Sequence, residues 1–235
     1  MRRAFAFLTI VGGSAEPTPT TFAWFPLVGA VLGLVVGGVW WLTARHGAPA
    51  LAAAVALLAD LALTGLLHVD GLADAGDGLL APMSRERRLA VMAEPTIGAF
   101  GVASVVGVLV LRYAAFASAR PAPLLVAALW CASRTAMVAL SQVMPYAREG
   151  GIVSAFVGGG RRWVLVLAVL VGIAGSLALG AHCGLHGVAS VLGVLVGAGA
   201  VALLAKRRLG GYTGDVLGAS GIVGETLGLV LWALR

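Results

Sequence analysis

Charge is what this chain has least of. Asp, Glu, Lys and Arg make up only 11% of its 235 residues, where a soluble domain needs about a quarter to cover its surface. With 60% hydrophobic residues and a mean hydropathy of +1.00, most of its surroundings must be lipid. That excludes an ordinary soluble enzyme. Acids are scarcer than bases, ten against sixteen, for a net charge of +6. The positives sit in short runs between apolar segments, as topology-setting loops do, so nucleic acid is not an expected partner. Cysteine is nearly absent: Cys131 and Cys183 stand alone in apolar stretches, with neither a CxxC nor a metal-ligand spacing. They read as small packing residues. A long leading apolar run is missing too, because Phe5 to Val11 is too short to cross a bilayer and no small-residue cleavage site follows it. An interfacial helix is expected there rather than a signal peptide. No internal repeat stands out, which speaks against transporter folds built from two related halves.

Long apolar stretches, by contrast, are plentiful. A crossing helix needs about 20 mainly apolar residues. Seven segments qualify: Phe22–Thr43, Pro49–His68, Ile97–Ala119, Ala122–Val143, Trp163–Ala181, Gly187–Ala205 and Val216–Leu234. The expected fold is therefore all-α: one polytopic membrane bundle of about seven transmembrane helices over residues 1–235, with membrane lipid around it. If the N-terminus lies on side A, that side collects Arg2, Arg3, Arg85, Arg87, Arg88, Arg148, Arg161, Arg162, Lys206, Arg207 and Arg208. Side B keeps only Arg45, Arg120 and Arg235, while Arg112 and Arg134 lie within spans. Eleven against three makes side A cytoplasmic by the positive-inside rule. Seven of the ten acids also fall at or near side A, which points to a site on that face.

The densest motif is His68-Val-Asp70-Gly-Leu-Ala-Asp74-Ala-Gly-Asp77-Gly78. On a helix, positions 70, 74 and 77 share one face. Three carboxylates there repel one another unless a cation sits among them. Mg²⁺ suits such hard oxygen ligands and commonly shares them with substrate phosphates. The competing reading is a solvated helix end with glycine turns. His68 opens the motif, either as a structural donor or as a base whose pKa the membrane surface tunes. The run Ser84-Arg85-Glu86-Arg87-Arg88 is either a topology anchor or a phosphate clamp.

Arg134 falls mid-span, ~15 Å from side A at the helical rise. Asp60 lies at a similar depth, so the two either form a buried pair or Arg134 faces a ligand. Two further side A loops carry Pro145-Tyr-Ala-Arg148-Glu149 and Gly210-Gly-Tyr-Thr213-Gly-Asp215. The second enters a helix start of the kind that caps itself or holds an anion.

Across nearly its whole length the chain resembles the cobalamin synthase family, also called adenosylcobinamide-GDP ribazoletransferase. The resemblance runs through Phe25-Pro-Leu-Val-Gly-Ala-Val-Leu-Gly33, the His68–Gly78 block, Arg85-Glu-Arg-Arg-Leu-Ala-Val-Met92 and Ile97-Gly-Ala-Phe-Gly101. It continues through Ser133-Arg134, Pro145-Tyr-Ala-Arg148 and Gly211-Tyr-Thr-Gly-Asp215. The chain departs from the family pattern at Ile10-Val11-Gly12, at Ala93-Glu94-Pro95-Thr96 and at Ile222.

What the resemblance implies is a Mg²⁺-dependent transferase of the bacterial inner membrane. Its partners would be adenosylcobinamide-GDP and α-ribazole or α-ribazole 5′-phosphate, with GMP released. By motif position, His68, Asp70, Asp74 and Asp77 take catalytic roles, and Asp70, Asp74, Asp77 and Asp215 take metal. Arg85, Arg134, Arg148 and Thr213 take substrate phosphates. The oligomeric state is not set by any of this. A phosphatidyl-alcohol transferase would need an Asp-Gly-x-x-Ala-Arg core, which is not matched after Gly71. A cation-coupled transporter would place its acids near the midplane rather than at the surface.

Overall fold

A computed structural model describes residues 1–11, 13, 18, 20–148 and 162–235. Among these the chain is helical, with no strand beyond one isolated bridge. A short helix α1 (Arg2–Leu8) lies ahead of α2 (Phe25–His46) and α3 (Pro49–Thr64). Next come α4 (Leu67–Leu80), α5 (Arg85–Val91), α6 (Ala99–Ser118) and α7 (Pro123–Val143). The chain closes with α8 (Arg162–Ala181), α9 (Gly184–Leu209) and α10 (Gly214–Ala233). The structure thus bears out a polytopic helical membrane bundle.

Six of these helices, α2 and α6 to α10, are long and apolar enough to cross a membrane unaided. The seventh crossing follows from how the ends meet. Gly37, late in α2, abuts Pro123 at the start of α7, and the Trp232 indole at the end of α10 donates to the Arg120 carbonyl at 3.1 Å. Those ends share side B. His68 and Gly71 instead lie against Gly218 and Asp215 at the start of α10, on side A. Helix α3 must run between the two sides, and its 16 residues reach about 24 Å.

The expected second span, Pro49–His68, is corrected by a break. Gly65 (φ 57°) and Leu66 (φ 63°) are both left-handed, and α4 leaves α3 at 89°. Glycine at 65 answers two demands: the positive φ, and the Ile10 side chain, which would lie 2.8 Å from a Cβ there. Leu66 is the less usual case, a branched residue held where L-residues are rare. The turn lays α4 across the ends of α10 and α6, outside the crossing helices.

Small residues set the helix spacing. A Cβ on Gly37 would stand 2.7 Å from Pro123 Cα, and one on Gly197 would stand 2.9 Å from Gly224 Cα. Glycine lets these backbones touch, which is how membrane helices gain contact without a hydrophobic driving force between them. Helix α7 is the centre of the bundle: every residue from Leu125 to Val138 is buried.

Candidate active site

Helix α4 is seated by its glycines. A Cβ on Gly71 would meet the Asp215 carbonyl oxygen at 3.0 Å, and one on Gly76 would meet Gly101 Cα at 3.1 Å. The small residues of the acidic motif therefore serve helix contact, with α10 at one end and α6 at the other. Gly71 also lines a cavity between these helices.

The chain segment after α7 is pinned to the start of α10 by a parallel bridge. The Tyr212 amide donates to the Pro145 carbonyl and the Ala147 amide to the Tyr212 carbonyl, each at 2.9 Å. The two tyrosine rings meet edge to face at 5.3 Å. Burial pushes both phenols above their ordinary range. The bridge brings Arg148 to Asp215, whose Oδ2 lies 3.5 Å from the guanidinium.

Between α4, α10, this bridge and the N-terminal helices lies a cavity of about 260 Å³. Its polar lining is His68, Asp70, Tyr146, Arg148 and Asp215. Its apolar lining includes Phe7, Phe22, Phe25, Leu67 and Met137. His68 is buried, and burial, followed by the positive charge of Arg134 and Arg112, holds its imidazole well below the usual range. It is neutral, and the same burial and charge disfavour its protonated form. The Asp74 carboxyl, half-buried beside the cavity, is pushed up to about 7 by burial and then by the charges of Asp215 and Asp70, against the pull of Arg148. Asp70, Asp74 and Asp215 thus share one electrostatic neighbourhood. Among the described residues, no three His, Cys, Asp or Glu side chains come close enough to enclose a metal ion by themselves.

The other expected site residues are placed elsewhere. Asp77 faces α6, not the cavity: its carboxylate accepts from the Gly98 amide at 2.6 Å and the Gly101 amide at 2.8 Å. That is an acid satisfying the free N–H groups of a helix start. Asp77→Asn keeps the shape but replaces one acceptor with a donor. We expect it to lower stability by about 1–2 kcal/mol while Mg²⁺ affinity stays at the wild-type value. Thermal melts and Mg²⁺ titration check both, and weakened Mg²⁺ binding without lost stability would return Asp77 to the cation.

Arg85 donates through Nε to the Leu209 carbonyl at 2.7 Å and through Nη2 to the Ala147 carbonyl at 3.4 Å. It ties the end of α9 to the bridge. Arg88 is buried and caps the end of α4 through the Gly78 and Leu79 carbonyls. Thr213 is the N-cap of α10: its hydroxyl accepts from the Val216 amide at 3.3 Å and lies 3.2 Å from Asp215 Oδ2.

Arg134 is absent from the residues lining the cavity, and the buried pair with Asp60, one of its two alternatives, is not what forms. It pairs with Glu225 and donates to the Ser133 hydroxyl. Asp60 instead accepts from Arg112 at 2.7 Å and from the Trp130 indole at 2.9 Å. Arg112 also reaches Glu225 at 3.1 Å. The sequence places Arg112 within a span but names no partner for it. The signal was the count: this interior network holds two arginines, Arg112 and Arg134, and two acids, Asp60 and Glu225. Charges buried in lipid must balance as a set.

The family described as cobalamin-5-phosphate synthase matches residues 1–233. The chain belongs to that family. Among curated relatives, an adenosylcobinamide-GDP ribazoletransferase of Chlorobium phaeobacteroides (strain BS1) is 35% identical over 232 residues, covering 96% of this chain and 92% of the relative. Proteins of the same name in Chlorobaculum tepidum and Bradyrhizobium diazoefficiens are each 37% identical, covering 99% of this chain and 91% and 92% of theirs. No solved structure matches the chain. In this cobalamin-5-phosphate synthase family member, then, the expected side A residues divide into two groups. His68, Asp70, Asp74, Arg148 and Asp215 surround or adjoin the cavity, while Asp77, Arg85 and Thr213 hold the elements that form it.

Proposed function

We propose that the chain is an adenosylcobinamide-GDP ribazoletransferase, joining adenosylcobinamide-GDP to α-ribazole or its 5′-phosphate. The observation that carries this is the cavity at one membrane face, lined by an imidazole, two carboxylates and Arg148, with Asp74 beside it, in a chain of this family. In the reaction a ribose hydroxyl attacks the cobinamide-side phosphorus, the new O–P bond forms, and the bond to the bridging oxygen breaks so that GMP leaves. The hydroxyl proton must go to a base. His68, the imidazole in the cavity lining, is placed to take it, and contact with the substrate would have to offset the burial that disfavours its charged form. Arg148 supplies a planar donor pair for phosphate oxygens.

Mg²⁺ fits these residues in one particular way. Three acids too far apart to cage an ion, yet close enough to raise the pKa of Asp74, suit a cation that completes its shell with substrate phosphate oxygens and water. Asp70, Asp74 and Asp215 would hold it, and when bound it would neutralise charge on the pyrophosphate. The test is direct. Purified protein in detergent, given both substrates and Mg²⁺, should release GMP in proportion to the corrinoid product; no GMP release from folded protein would sink the proposal.

A pH dependence accompanies it. Below about pH 7 the Asp74 carboxyl carries a proton that an incoming cation must displace, and above it the group is ionised. Mg²⁺ affinity should therefore rise as the pH climbs through about 7, and Asp74→Asn should flatten that rise. A wild-type affinity independent of pH over this range would remove Asp74 from the cation's neighbourhood.

The cavity opens on side A, which the Lys and Arg asymmetry makes cytoplasmic in a bacterial inner membrane. A cysteine placed at Ser84 should resist labelling by an impermeant reagent in intact cells. Strong labelling from outside would reverse the orientation.

A further inference from the structure

Resting on that function, the cavity can be asked which substrate it holds. Its volume, about 260 Å³, lies at the small end of sites that take organic ligands. It can hold one nucleoside. A corrin macrocycle is several-fold larger and has to stay outside, on the open side A face. Two nucleosides remain as occupants: α-ribazole, the acceptor, and the guanosine of the GDP-activated donor.

The wall chemistry separates them. Guanine carries a carbonyl, a ring N–H and an amino group along one edge, all of which need partners once desolvated. The base of α-ribazole is a dimethylbenzimidazole, whose outer edge is carbon and hydrogen only. The cavity lining includes Phe7, Phe25, Leu67 and Met137, whose side chains carry no N–H, O–H or carbonyl. Its aromatic rings are already set against one another, Phe7 stacked near Phe25 at 5.8 Å and Phe22 edge-on to Phe25 at 4.8 Å. A fixed apolar wall of this kind takes a flat apolar edge without ordering cost. The same lining carries His68, Asp70, Arg148 and Asp215, suited to a ribose and the phosphates it attacks.

We infer that the cavity is the acceptor subsite: the dimethylbenzimidazole of α-ribazole lies against Phe7, Phe25, Leu67 and Met137, with its ribose turned to His68 and Asp70. The pyrophosphate of the donor then enters from the open face past Asp215 and Arg148. Its guanosine binds outside this cavity. Phe7, Leu67 and Met137 are specificity-determining residues for the acceptor base.

Two measurements test this on the whole protein in detergent. The first is equilibrium binding of α-ribazole alone, followed by competition with GMP. Saturable binding that GMP does not displace is expected, and displacement by GMP would overturn the assignment. The second is steady-state kinetics of Phe7→Ala, on the short edge helix α1, and of Met137→Leu in case the first fails to fold. Phe7→Ala should raise KM for α-ribazole by about tenfold or more, with KM for adenosylcobinamide-GDP unchanged; Met137→Leu should move the same constant by a smaller factor. A rise in KM for the donor instead would place guanosine in the cavity. Activity and subsite fail separately: a wild-type protein that binds α-ribazole but never releases GMP overturns the transferase reading and leaves the acceptor subsite standing.

Discussion

Asp215→Asn is expected to cut Mg²⁺-dependent GMP release by at least tenfold, about 1.4 kcal/mol of transition-state stabilisation, and Asp70→Asn by a similar factor. Both side chains line the cavity, and Asp215 lies between Arg148 and the N-cap Thr213. The structural cost of losing an acid from the first turn of α10 is only ~0.3–1 kcal/mol, so the variants should remain folded. What they lose is neutralisation of the pyrophosphate, a shared task, so the double variant should fall well short of the product of the two single effects. Raised Mg²⁺ should partly restore either single variant. Turnover in purified, folded protein decides the matter, and wild-type rates in both single variants would take the cation away from this end of the cavity.

The second large effect is on stability. Arg112→Met removes the guanidinium shared by Asp60 and Glu225 in the bundle interior. Truncating one partner of a buried ion pair costs about 3–5 kcal/mol, because the charge left behind has no water to turn to. That is a large fraction of a total of about 5–15 kcal/mol. Asp60→Asn combined with Arg112→Met should recover most of the loss. The amide oxygen that Asp60→Asn leaves in place would still accept from the Trp130 indole, and Glu225 would keep its pair with Arg134. Melting temperatures in detergent separate the outcomes: a double variant less stable than Arg112→Met alone would show that the four charges do not act as a set.

Much of this arrangement was legible in the sequence because lipid leaves few options. Seven apolar segments, their orientation and the gathering of acids on one side follow from hydropathy and charge counting, and the structure has the same crossings. The break at Gly65-Leu66 was not legible. Apolar residues continue through it, and nothing in their pattern distinguishes a crossing helix from one turned flat. That turn also decides what the acids meet. Asp70, Asp74 and Asp77 all lie within α4, as their spacing predicts, but the turn sets what that helix packs on. With α4 laid over two helix starts, the last of them meets the backbone of α6. Period alone cannot say which neighbour a helical face will meet. Arg134 fell to the same limit: its depth in the membrane was clear, but its partner depended on α10 packing beside α7.

Helix α10 carries Asp215, the floor against which α4 rests, and Glu225, the partner of Arg134. It is also the last of the described helices to leave the ribosome. Until it arrives, α4 has no support on that side, Arg134 lacks the Glu225 carboxylate, and the bridge from Pro145 and Ala147 has no Tyr212 to join. A chain stopped before Tyr212 can hold most of its membrane helices yet lacks Asp215, Glu225 and the bridge partner, so the last of the described helices completes the cavity and the buried charge network together.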